Sequence, residues 1–142
     1  MVLKTAILAD AAQASPDGKF HVLGGGISIL WAADLPASIN VSLVVGFEYS
    51  AVEAGGQRHI DVQLTDADGQ DALPRISADL ALGGRQPHMP AGAPLTSTGV
   101  INIHAALPKY DTYAFHILLD GNHVGSVPLV LAPIPAELAQ AS

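Results

Sequence analysis

The sequence predicts an all-β fold, a single antiparallel β-sandwich of eight or nine strands. Three observations predict it. Short runs alternate apolar and polar residues from Leu3 to Leu131. Clusters of turn-forming residues separate those runs at regular intervals. No long segment carries the 3.6-residue period of an amphipathic helix, so no crossover helices are at hand for a parallel α/β sheet.

The first strand is Leu3–Ala9. Lys4, the apolar residues after it and Ala-Gln-Ala look superficially like an export signal. Asp10 cuts that apolar run to Thr5–Ala9, below the ~7–15 residues an h-region needs. Export by that route is therefore not expected, and a cytoplasmic or virion location is. Ser15-Pro16-Asp17-Gly18-Lys19 is a turn, since Pro fixes φ and Gly supplies a positive φ. Phe20–Leu23 is a strand, interrupted by Gly24-Gly25-Gly26 and resumed over Ile27–Trp31. Glycines between strands mark a bulge or a bend where a sheet folds over.

Ala33–Pro36 connects to the longest strand, Ile39–Tyr49. There Val41, Leu43, Val45 and Phe47 face one way, and Ser42, Val44, Gly46 and Glu48 the other. Arg58–Thr65 follows, with Ile60, Val62 and Leu64 inward and His59, Asp61 and Gln63 outward. Asp66–Asp71 is a turn. Arg75–Leu82 puts Ile76, Ala78, Leu80 and Leu82 on one face. Gly83–Pro94 is the longest connector, too rich in proline and glycine to be a helix. Connectors of this length often carry function.

Two further runs flank Tyr110. Ile101, Ile103, Ala105 and Leu107 share one face, and Tyr113, Phe115, Ile117 and Leu119 share another. Read as a hairpin, Leu107 opposes Tyr113, Ala105 opposes Phe115 and Ile103 opposes Ile117, apolar against apolar throughout. The Asp120-Gly121 turn, of two or three residues, leads into the last strand, which ends near Leu131. The sandwich is expected over 1–132 and a tail over 133–142, with one turn of helix open to Ala136–Gln140.

Composition narrows the class. Apolar residues make up 49% and charged residues 13%, which argues against disorder. No apolar run approaches the ~18 residues of a transmembrane helix. A net charge of -7 is the wrong sign for nucleic acid or an anionic membrane surface. There is no cysteine, so disulfides, thiol catalysis and cysteine metal sites are excluded.

Two stretches carry resemblances. Leu107-Pro108-Lys109-Tyr110-Asp111-Thr112-Tyr113 resembles the tyrosine corner of immunoglobulin-like and fibronectin-type sandwiches. The resemblance implies that the Tyr113 hydroxyl bonds back to upstream backbone, although Pro108 stands one position early. Leu8-Ala9-Asp10, Asp17-Gly18-Lys19 and Val22-Leu23-Gly24-Gly25-Gly26 together resemble an uncharacterised family of small bacterial proteins, met also in actinobacterial phages. The similarity extends through Val44–Glu48 and Asp66–Gly69 and implies no activity.

Candidate sites are few. Asp66, Asp68 and Asp71 gather around Gly69, and calcium favours clustered oxygens. The EF-hand order is absent, and a hairpin turn is the preferred reading of the loop. In the hairpin register His104 opposes His116, with His123 near them if the Asp120-Gly121 loop has two residues. Imidazoles on adjacent strands can share zinc, but no carboxylate stands by to orient a ring. Gly24-Gly25-Gly26 lacks the Lys-Ser/Thr and the helix of a phosphate loop. No serine has the Gly-x-Ser-x-Gly context of a hydrolase. Trp31 suits a core, a sugar platform or an interface.

The reading is a non-enzymatic module working through protein contacts, as a homo-oligomer or in a larger assembly, in its narrower form a capsid- or tail-associated decoration subunit of a phage-like particle. Catalytic residues, cofactor, metal, nucleic-acid partner and membrane are not expected. Leu107, Tyr113 and Phe115 are expected to be structural. Val44, Leu118, Pro87, Met89 and Pro133 are the interface candidates. The alternatives are a metal- or small-ligand-binding domain using His104, His116 and the Asp66–Asp71 loop, and an accessory domain that regulates a larger partner.

Overall fold

The computed structural model describes residues 1–15, 19–85 and 87–135, and among these every regular element is a strand. They are β1 (Val2–Ala14), β2 (Phe20–Gly25), β3 (Ile29–Ala32), β4 (Ala37–Tyr49), β5 (Gln57–Thr65), β6 (Ile76–Ala81), β7 (Leu95–Leu107), β8 (Asp111–Leu119) and β9 (Asn122–Pro133). One sheet has the order β2-β1-β4-β7 and the other β3-β9-β8-β5-β6. All neighbours run antiparallel except β3 and β9, which are parallel. β3 reaches the second sheet by crossing over from β2, so no hairpin dictates its direction. The middle of the Ser15–Lys19 turn, Gln86 in the long connector and the stretch Ala136–Gln140 lie outside the described residues.

The core lies between the sheets. Val41, Leu43, Val45 and Phe47 of β4 and Ile101, Ile103 and Leu107 of β7 meet Ile60, Val62 and Leu64 of β5 and Tyr113, Phe115 and Ile117 of β8. Leu107, Tyr113 and Phe115 have no exposed surface. Alternation along each strand supplies one buried face, and two such faces close on each other.

The hairpin expected around Tyr110 does not form. β7 pairs with β4, placing Leu107 beside Ala37 and Ile103 beside Val41. β8 pairs with β5 and β9, placing Phe115 beside Leu64 and Val127. Pro108-Lys109-Tyr110 carries the chain from one sheet to the other. The apolar faces matched in the hairpin register do meet, but across the core rather than edge to edge. A period of two tells which face is buried and leaves open which strand lies alongside.

Tyr113 anchors this crossing. Its hydroxyl donates to the Lys109 carbonyl at 2.7 Å. Tyr110 donates to the Ala32 carbonyl at 2.9 Å, tying the corner to the end of β3.

Val44 is not a surface residue. It stands on the outer face of the four-stranded sheet, yet has no exposed surface. Ile7 and Val100 flank it in register. The β1–β2 hairpin also folds back over this face, since Phe20 lines one groove with Thr5, Gly46, Thr96 and Thr98. Gly24 allows that bend: its φ is +64°, and a Cβ there would meet the Asp10 carboxylate at 2.1 Å. β1 consequently runs to Ala14, past the Ala9 end read from hydropathy.

Denaturant titration should show Phe115→Ala losing about 3–5 kcal/mol, the usual cost of an aromatic truncated in a closed core. Tyr113→Phe should lose about 1 kcal/mol, the net worth of one hydrogen bond. A loss below about 1 kcal/mol at Phe115 would contradict the packing described.

Candidate functional site

Alternate residues of the five-stranded sheet face away from the core, and this outer face divides into two halves. Across β6, β5 and β8 it is polar. Asp61 stands in register with Ser77 and Leu118, His59 with Asp79, and Gln63 with His116. Across β9 and β3 it is apolar. Thr112 faces Val130, Ala114 faces Pro128, and Ile29 and Trp31 lie beside Val130 and Ala132.

The polar half is largely satisfied within itself. His59 sits between two carboxylates, with Nδ1 3.3 Å from Asp79 Oδ1 and Nε2 3.0 Å from Asp61 Oδ1. The Ser77 hydroxyl donates to the same Asp61 oxygen at 2.5 Å. Asp120, in the two-residue turn between β8 and β9, accepts the His59 amide at 2.9 Å and pairs with Arg58. The order is serine to carboxylate to imidazole. A nucleophile would need its hydroxyl on the imidazole instead, so this is an ion-pair network. Asp79 beside His59, then Asp61, raise the His59 pKa above its ordinary value. The Ser77 hydrogen bond, then His59, lower that of Asp61.

His116 and His123 form a second group nearer the middle of the face. The register shifts between Ile117 and Leu118, where β9 carries an extra residue. The two-residue turn sets Leu118 opposite His123, and beyond the bulge His116 stands opposite Ser126. The two outward imidazoles are diagonal neighbours, within reach across one strand gap. His116 Nδ1 lies 3.1 Å from His123 Nε2, with ring centroids 5.2 Å apart and planes tilted by 54°. On its other side, His116 Nε2 lies 3.0 Å from the Oγ1 of Thr65, a buried residue.

His104 is not with them. It lies on β7 beside Asn40, in the four-stranded sheet. His104 and His116 face outward from opposite layers of the sandwich, with the core between them. Pairing them rested on the hairpin that the sheet crossing replaces, whereas His123 does reach His116 through a two-residue loop.

The acidic loop also differs from a cation cradle. Asp66 Oδ1 accepts the amides of Asp68 at 2.9 Å and Gln70 at 3.0 Å, the bonding of a capped turn. Its Oδ2 lies 3.2 Å from Lys109 Nζ, which also reaches Asp111 at 3.4 Å and Asp68 at 3.9 Å. Asp71 turns away and accepts from Gln63 at 2.7 Å. The ammonium of Lys109 stands where those carboxylates converge. The Gln70 amide and then Lys109 hold Asp66 below the usual carboxylate range, and Asp66 first of all raises Lys109. Among the described residues no three His, Asp or Glu side chains are placed to hold a metal ion.

Of the surface candidates, Leu118 is half-buried between His123 and Asp61, Pro87 and Pro133 are exposed, and Met89 packs partly against the core. Sequence reading missed the Asp61–His59–Asp79 chain and the apolar half around Trp31. The first was visible only as polar outward positions, since its contacts depend on β6 lying beside β5. The second needed the parallel pairing of β3 with β9.

Comparison with known proteins gives three findings. Residues 4–132 match the model of a family described as a family of unknown function, DUF6941. No curated protein matches the chain. A solved structure titled Pseudomonas fluorescens alkylpurine DNA glycosylase AlkC bound to DNA containing an abasic site analog is similar, at 15% identity and a TM-score of 0.44. The similar part covers 74% of this chain and 28% of that one.

The raised pKa of His59 has a sign for stability. The charged ring is favoured in the fold, so its stabilisation is complete below its ordinary value of about 6.5 and is lost as pH rises through the folded value. Melting temperature followed across that window should fall with rising pH, and His59→Gln should flatten the slope. High salt should shrink the difference, because His59 and Asp79 are exposed and their attraction is screened.

Proposed function

This chain belongs to the DUF6941 family, whose function is unknown, and from that premise we propose a non-enzymatic β-sandwich module that acts through protein–protein contacts, first of all with copies of itself. One observation carries the reading. Trp31, the single tryptophan, is 48% exposed within a continuous apolar surface made by β3 and β9. Ile29 and Ile134 are each 38% exposed beside it, and Val130, Ala132 and Pro128 extend the surface.

Scattered apolar residues on a surface need no explanation, but a contiguous patch centred on an aromatic does. Tryptophan concentrates at the energetic centres of interfaces. β3 is also an edge strand that ends its sheet, and Ile29-Leu30-Trp31-Ala32 contains no charge to guard that edge. The exposed prolines Pro87 and Pro133 suit contacts at the margin, since proline limits the entropy lost on docking. The narrower form of the reading, a capsid- or tail-associated decoration subunit, is tested by imaging the native assembly.

Sedimentation of the full chain at rising concentration should show association, with the tryptophan emission moving to the blue as Trp31 is covered. Trp31→Ser should leave a folded monomer that loses about 1–2 kcal/mol for the half of the ring that packs on the sheet. A chain that stays monomeric at high concentration with unshifted emission would overturn the proposal.

A further inference from the structure

His116 and His123 are the described imidazoles whose ring nitrogens face each other directly. We propose that they form a binding site for a divalent transition-metal ion of the kind that prefers imidazole, copper(II) above nickel and zinc.

The argument starts from spacing. Metal–imidazole bonds are about 2.0–2.1 Å. Two such ligands then lie about 3.3 Å apart in a tetrahedral shell and about 2.9 Å apart as cis neighbours in a square-planar one. The separation of 3.1 Å between His116 Nδ1 and His123 Nε2 falls between these limits. In the metal-free protein a hydrogen bond joins them, one nitrogen giving a proton and the other a lone pair. For a metal to take the place of that hydrogen, His123 shifts its proton from Nε2 to Nδ1 through solvent, so that both facing nitrogens offer lone pairs, and the exposed His123 ring rotates to aim at the ion.

The supporting contact is already in place. When a metal occupies Nδ1 of His116, Nε2 must keep its proton and donate it. The Thr65 hydroxyl oxygen lies 3.0 Å away, on a buried residue whose position the sheet fixes. Outer contacts of this type set the tautomer and orientation of ligating histidines. The short turn supplies the second ligand: it sets His123 opposite Leu118, so both imidazoles stand on the outer face. The two strands are joined by a two-residue turn, so the pair is rigidly spaced before any ion arrives.

The ligand set selects the ion. Two neutral imidazoles and no carboxylate disfavour calcium and magnesium, which require oxygen ligands. Among first-row divalent ions, nitrogen sites follow the order that peaks at copper. With two protein ligands the remaining positions belong to water, so the bound ion is exchangeable and open to a further ligand. The net charge of -7 favours cation approach from any direction.

The test titrates the full chain with copper(II) chloride alone. Calorimetry should give one strong site per chain, and electron paramagnetic resonance should show coupling to two nitrogens. His116→Ala and His123→Ala should each weaken binding tenfold or more, with circular dichroism confirming the fold. His104→Ala, on the opposite sheet, should leave the affinity unchanged. Zinc should compete more weakly than nickel or copper, and magnesium not at all. Copper affinity unmoved by both substitutions at His116 and His123, or lowered equally by His104→Ala, would overturn the site.

Discussion

Lys109 holds together the last point at which the chain changes sheets. Its backbone carbonyl receives the Tyr113 hydroxyl, and its ammonium lies within 4 Å of carboxylates in the turn after β5 and at the start of β8. The first contact tightens the corner between β7 and β8. The second fastens that corner to the turn after β5. Exposed ion pairs contribute little singly, but the buried tyrosine ring makes the corner part of the core. Everything downstream depends on it, because crossing at this point places β8 between β5 and β9 and fixes which side chains share a face.

How much of this was legible in the sequence varies with the kind of information. Strand existence was legible. Runs such as Arg58–Thr65 and Tyr113–Leu119 alternate cleanly, and their inward residues are buried as alternation requires. Partnership was not. Ile103 matches Ile117 in hydrophobicity whether the two strands lie side by side or face each other across the core. The choice was made by Pro108-Lys109-Tyr110, which looks like a turn in either case. Burial on both faces was legible only in part: Leu43-Val44-Val45-Gly46-Phe47 is a nearly continuous apolar run, the mark of a strand covered on both sides. Reading Val44 as outward was right about its face and wrong about its exposure, since it has no exposed surface between Ile7 and Val100.

The candidate site was less legible still, for a specific reason. His116 was singled out together with His104, which lies in the other sheet. His123 was named as a neighbour only on condition of a two-residue loop at Asp120-Gly121, and the sequence left that loop open between two and three residues. The carboxylates of the Asp66–Asp71 loop were legible as a cluster, but Lys109, which neutralises Asp66 and Asp68, is far along the chain and reaches them only through the corner.

The two halves of the outer face have different relations to solvent. On the β5–β6 side, Asp61, His59, Asp79, Ser77 and the Arg58–Asp120 pair satisfy one another. That side gains little from contact with another surface, since burying it would desolvate charges already paired. On the β3–β9 side, Trp31, Ile29 and Val130 have nothing to lose but water. A partner docked there would place the β8 row at its margin, where interfaces stay polar and wet. His116 on β8 and His123 at the start of β9 stand at that margin. Their nitrogens would remain accessible in an assembled state, and coordination there would stand beside the contact rather than beneath it.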